Sequence, residues 1–154
     1  MKLRAMLVLA VITTALAVPA AAADARFRVN RSMEGVALGM TQDEVRDRLG
    51  RPAHRDLGPD FVTWHYRRPR MEVTFKPAVI TLFTESKTIR GPHDIGVGTR
   101  ERRLERVLGA RVSCQSAEGQ RLCIVGGFDT GERSTVFVMR RQRVTSITIS
   151  ISTP

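Results

Sequence analysis

Apolar and polar residues alternate with a period of two along much of this chain. In 144–151, Ile147, Ile149 and Ile151 alternate with Thr148 and Ser150, the pattern of a strand with one wet face. Strand-like segments also cover 111–115, 120–125 and 134–139, and earlier 53–57, 61–66, 71–75 and 79–83. Turn chemistry separates neighbours: Gly58-Pro59-Asp60, Lys76-Pro77-Ala78 and Glu118-Gly119.

Two stretches break this rhythm. Within 36–50, Val45 and Leu49 stand four apart and share one helical face, while Asp43, Arg46, Asp47 and Arg48 face away. Thr41 and Glu44 make a capping box, Met40 and Val45 a hydrophobic staple, and Gly50 followed by Pro52 closes the segment. These signals predict a helix over Gln42–Leu49. Residues 95–109 carry the same skeleton 59 positions later, matching Gly39 with Gly98, Val45 with Leu104, Leu49 with Leu108 and Gly50 with Gly109 without a gap. Thr99 is the candidate cap there, although it sits one place early and arginine stands where a glutamate would complete a box.

The expected architecture is α+β: two tandem units, each a short helix followed by an antiparallel meander, with both helices on one side of the sheet. Residues 24–34 form a lead-in, 35–90 the first unit and 91–154 the second. Residues 1–23 precede the domain. Lys2 and Arg4 give a basic start, 5–18 an apolar run, and Ala21-Ala22-Ala23 a small-residue cleavage site before Asp24. This reads as a cleaved signal peptide. No cysteine lies near the site for lipid attachment, so the expected location is extracellular or in the cell envelope, without a lipid anchor.

Hairpin register brings chemistry together. Centring the first turn between Pro59 and Asp60 sets Leu57 opposite Val62, Arg55 opposite Trp64 and His54 opposite His65. Ala53, Arg55, Leu57, Val62, Trp64 and Tyr66 then share the face expected to cover the core. His54 and His65 share the outer face, but a zinc site generally takes three protein ligands and no third is evident. The turn at Glu118-Gly119 sets Cys114 opposite Cys123, within bridging distance, and an exported protein is expected to join them. No cofactor or metal is expected.

The formal charge is +10, and removal of Lys2 and Arg4 leaves +8; arginine supplies 22 of the 25 basic residues. Net charge sets the long-range field, which draws acidic partners. Arg67, Arg68 and Arg70, and separately Arg140, Arg141 and Arg143, are the densest clusters, both at turns, and are the candidate binding residues. Few aromatics are available to interleave with them, which argues against a nucleic-acid platform. Neither a Gly-x-Ser-x-Gly elbow nor a phosphate loop occurs. Asp43, Glu44 and Asp47 lie on one short surface helix and do not bracket a scissile bond, so no enzyme activity is expected.

Gly39-Met40-Thr41, the helix ending in Leu49-Gly50, and Pro52 resemble the motif of the BamE-like (SmpA/OmlA) family and the related β-lactamase-inhibitor-protein-like fold. The second unit departs from it, with Gly98-Thr99 for Gly-Met-Thr and Gly109-Ala110-Arg111 for Gly-x-Pro. The resemblance implies a protein acting through its surfaces. The expected function is an exported, non-catalytic protein-binding module, with electrostatic binding of an anionic envelope polymer or membrane surface as the alternative. N-terminal sequencing of the exported protein is expected to begin at Asp24; retention of Met1 in the exported fraction would contradict the cleavage assignment.

Overall fold

The computed structural model describes residues 26–117 and 119–154. The segment 1–23, read as a signal peptide, and Glu118 lie outside the described residues.

Local signals at 41–50 act as the sequence predicts. Thr41 has extended backbone, its hydroxyl accepts from the Glu44 N–H at 3.3 Å, and its own N–H donates to Glu44 Oε2 at 2.7 Å, closing the box. Helix α1 runs Gln42–Leu49 and stops at Gly50, whose φ of 77° suits glycine. Helix α2 runs Glu101–Leu108. Its cap differs from expectation: Arg100 holds the N-cap position without a side-chain hydrogen bond, and the Thr99 hydroxyl instead accepts from the Gly96 N–H at 2.9 Å.

Strands make up the rest. Three short ones, β1 (Phe27–Arg28), β2 (Ser32–Met33) and β3 (Val36–Ala37), form an antiparallel N-terminal sheet. The long ones are β4 (His54–Leu57), β5 (Val62–Arg67), β6 (Arg70–Phe75), β7 (Val79–Thr84), β8 (Val112–Ala117), β9 (Gln120–Gly126), β10 (Arg133–Arg140) and β11 (Arg143–Ile151). They build one antiparallel sheet of eight strands in the order β4-β5-β6-β7-β11-β10-β9-β8.

The alternation decides which face is buried. Trp64, Val73, Leu82, Ile149, Thr135 and Val125 are successive cross-strand partners, and all are buried. All but the polar Thr135 belong to one core cluster with Val45 of α1, Leu104 and Leu108 of α2, and Phe27 of the N-terminal sheet. Phe27 lies 6.3 Å from Phe137 between ring centroids. The buried Thr135 hydroxyl donates to Asn30 Oδ1 at 2.7 Å and accepts from the Asn30 N–H at 2.6 Å, which ties the N-terminal sheet to this same face. Trp64 is covered by Phe75 at 4.7 Å and by the guanidinium groups of Arg55 at 4.8 Å and Arg46 at 5.5 Å, the arginines acting as cation–π lids.

The expected fold class needs correction. Strands take 48% of the structure and helices 17%, so the molecule is mostly β and not an α+β tandem of helix-plus-meander units. Helices of eight residues are too short to form a layer. All eight long strands join one sheet over one continuous core, so no group of four stands as a unit with a core of its own. The stretch read as a lead-in contributes strands and a buried phenylalanine. A fold of this composition does not support the BamE-like, tandem-repeat resemblance either, because the matched glycines and leucines report helix ends and not a repeated domain. Leu57, expected on the core side, is 81% exposed, because β4 is the edge strand and reaches past the helices' cover.

Cys114 and Cys123 are joined as the register predicts, clipping edge strand β8 to β9. The sequence separation is 9. Replacing both by serine is expected to lower stability by about 2 to 3 kcal/mol in urea unfolding, the entropy of closing so short a loop. Thr41→Ala is expected to cost about 1 kcal/mol through loss of the cap. Hydrogen bonds from the Thr41 backbone and then its side chain hold the Glu44 carboxyl below its ordinary 4.5. The cap is therefore at full strength above that value and weakens as pH falls through the lowered native value. A carboxyl titration followed by NMR is expected to show Glu44 moving only part of the way back toward 4.5 in Thr41→Ala, which removes the hydroxyl and keeps the backbone N–H.

Candidate functional site

One end of the large sheet gathers cations from segments far apart in sequence. The β5–β6 turn presents Arg67, Arg68 and Arg70, and the β10–β11 turn presents Arg140, Arg141 and Arg143. Because β7 pairs with β11, the connection leaving β7 passes between these turns and adds Lys87. Arg70, Lys87, Arg140, Arg141 and Arg143 line a single open groove of about 750 Å³, with Glu85 the one acidic side chain in it. Arg67 and Arg68 are exposed on the turn but do not line that groove.

The groove has a rigid floor. The 98–101 segment runs beside the start of β11: Gly98 N–H donates to Val144 O at 2.7 Å, Val144 N–H to Thr99 O at 2.9 Å and Glu101 N–H to Gln142 O at 3.0 Å. Arg143 Nη1 donates to Gly98 O at 2.9 Å, so this arginine is pinned along the floor. On the opposite wall the Thr84 hydroxyl donates to Arg70 O at 2.6 Å. Arg141 and Gln142 form a two-residue turn with φ of 50° and 58°, left-handed backbone that Asn-Gly fills at lower cost. An arginine held there projects from the tightest point of the hairpin.

The basic surface continues past the groove. Arg90, Arg100 and Arg103 line an adjoining hollow with Lys87 and Arg143, and Arg102 joins a third with Arg141. Acidic groups on this surface are largely engaged: Glu101 takes two hydrogen bonds from Arg121, at 2.6 and 3.0 Å, and Asp94 lies 3.7 Å from Arg90. That contact with Glu101 also raises the Arg121 pKa. Among the described residues, Arg70, Lys87, Arg140, Arg141 and Arg143 form no ion pair within 4.0 Å. Their charges face solvent over a wall that is more apolar than polar, an arrangement that can hold extended or multiply charged anions.

Of the arginines named from the sequence, Arg70, Arg140, Arg141 and Arg143 come together in the groove, and Lys87, Arg90 and Arg100, not named there, join or adjoin them. Lys87 and Arg90 stand apart from the arginine-rich turns in sequence and Arg100 lies at the start of the second helix, and only the β7–β11 pairing carries them to those turns. His93, unassigned in sequence, lends its carbonyl to Arg103 Nη2 at 2.9 Å. His54 and His65 face each other across β4 and β5 with ring centroids 5.7 Å apart, as the register predicts. The two imidazoles, His65 first, hold the Asp56 carboxyl below the usual carboxylate range. Among the described residues Glu101, Cys114 and Cys123 bring potential metal donors within 4.8 Å of one another, but the two sulfurs are bonded to each other and supply no thiolate.

No known protein-family model matches the chain, and no curated protein sequence matches it. Solved structures do resemble its fold. An extracellular protein containing an SCP domain from Bacillus anthracis superposes with a TM-score of 0.57 at 7% identity, over 74% of this chain and 44% of that one. A cysteine-rich secretory protein from Staphylococcus aureus gives 0.50 at 7% identity, with the same coverages of 74% and 44%. The chain thus spans less than half the length of these two proteins. A DUF4309 family protein from Bacillus subtilis gives 0.51 at 14% identity, covering 83% of this chain and 88% of that one. At such identities the likeness is one of fold. The neighbours are SCP-domain and DUF4309 proteins, which corrects the BamE-like and β-lactamase-inhibitor-like resemblance drawn from the sequence motif. The disulfide fits an exported protein.

Proposed function

We propose that this chain is an exported, non-catalytic binding module that engages an acidic protein surface through the basic end of its eight-stranded sheet. The observation that carries this reading is the groove in which Arg70, Lys87, Arg140, Arg141 and Arg143 converge with Glu85 as the one acid. Arginine suits such a role because its planar fork binds carboxylates in pairs, and the two arginine turns are spaced by a floor that does not need to rearrange. The continuation of cations through Arg90, Arg100 and Arg103 favours a second reading, in which an extended anionic envelope polymer lies along the same strip.

Arg141→Glu with Arg143→Glu separates these readings from general basicity. The double variant is expected to elute from an anionic column at clearly lower salt than a control bearing two charge reversals elsewhere, Arg28→Glu with Arg31→Glu. Binding of the wild type to a poly-aspartate peptide is expected to fall steeply between low and moderate salt, since exposed charges are screened over about 10 Å at 0.1 M. Preference for poly-aspartate over heparin at equal charge supports the protein partner, and the reverse preference supports the polymer. Equal retention of the groove and control variants would overturn both.

A further inference from the structure

At the far edge of the sheet a second cluster has a different chemistry. His54, His65 and Glu72 are direct cross-strand partners on β4, β5 and β6, and therefore form one row on the face away from the core. Asp56 lies two residues along β4 from His54, so strand alternation puts it on that face as well. Its carboxylate reaches both rings through the same kind of nitrogen: Oδ1 is 2.7 Å from His54 Nε2 and Oδ2 is 2.6 Å from His65 Nε2. Behind this, Glu72 Oε1 lies 3.3 Å from His65 Nδ1.

We propose that His54, Asp56 and His65 form a surface site for a divalent transition-metal ion of the zinc type, with Glu72 orienting His65 from outside the coordination sphere. Two imidazoles on one tetrahedral zinc, with Zn–N of about 2 Å, have centroids about 5 Å apart, near the 5.7 Å of His54 and His65. Asp56 now stands between their Nε2 atoms and the three donors do not converge within 4.8 Å, so binding requires the exposed His54 and Asp56 side chains to turn toward the ion. A bound ion would displace both contacts between the rings and Asp56, taking one nitrogen from each imidazole and one carboxylate oxygen. Three protein ligands of this kind leave a fourth position for water or an anion.

The surroundings agree with that chemistry. Asp56 and Glu72 set two carboxylates beside two imidazoles, an acidic spot in a chain of net charge +10. Glu72 lies on the Nδ1 side of His65 while Nε2 faces Asp56, the side from which an outer carboxylate orients a metal-binding histidine. Strand β4 is the sheet's edge and all four of its residues are exposed, so an ion reaches the site directly, and His54 and Asp56 can rotate toward it without disturbing the core. In the sequence, the histidine pair lacked a third ligand; the strand register supplies it.

Calorimetric titration of the metal-free, disulfide-bonded exported protein with zinc chloride is expected to show one ion bound per chain, and cobalt(II) is expected to develop the visible absorption of a low-coordinate site. His54→Ala and His65→Ala are each expected to weaken zinc binding by more than the roughly 10–100-fold that loss of an outer partner costs, and Glu72→Gln by an amount within that range. His93→Ala, remote from the cluster, is expected to match the wild type. Circular dichroism of each variant checks that the sheet is retained, and Asp56→Asn provides a further loss-of-ligand variant of nearly unchanged size. The proposal is overturned if the wild type binds no zinc below about 1 mM, or if His54→Ala and His65→Ala leave the affinity unchanged.

Discussion

The pairing of β7 with β11 is the constraint on which the rest of the molecule depends. Four register pairs, from Ile147 with Thr84 to Ser150 with Thr81, join strands that are more than sixty residues apart in sequence. Every other strand pair in the large sheet is a hairpin between sequence neighbours. Local turn chemistry can build those hairpins, but it cannot choose the seam. Closing a loop of this length costs entropy that only the shared hydrophobic row can offset, and Leu82 and Ile149, both fully buried, meet across that seam.

From the seam follows the division of labour between the two faces and between the ends. Packing of α1, α2 and the N-terminal sheet onto one face leaves the other for half-exposed side chains, among them Glu72, Phe83, Thr148, Val136 and Ile124 in a single cross-strand row. The same pairing puts the β5–β6 and β10–β11 turns at one end with the β7 connection between them. Charge that is scattered through the sequence becomes a continuous strip there. At the opposite lateral edge, β4 is narrow and wet, and carries imidazole and carboxylate groups where the middle of the sheet carries aromatic and branched ones.

Much of the local structure was legible in the sequence. The capping box at Thr41 and Glu44, the first hairpin's register and the opposition of Cys114 and Cys123 rest on interactions within about a dozen residues, and short-range rules fix them. What escaped were consequences of distance. Recurrence of Gly39 and Leu49 as Gly98 and Leu108 reads as two separate units, whereas one sheet and one core absorb both stretches. Leu57 follows the apolar alternation but lies beyond the buried area, because alternation tells which side a residue faces and not how far the cover extends. Hairpin opposition pairs only His54 with His65, whereas the period-two rule along β4 also assigns Asp56 to their face.

The clip between Cys114 and Cys123 acts on a strand that has a neighbour on one side only. An outermost strand offers unpaired amide and carbonyl groups to any passing extended chain, and it is also the first to peel away. Holding β8 covalently to β9 suppresses peeling while leaving the outer row of amides in place. Loss of the bond would leave β8 held to β9 by its ladder alone, so the bridge narrows the routes by which this edge can exchange partners.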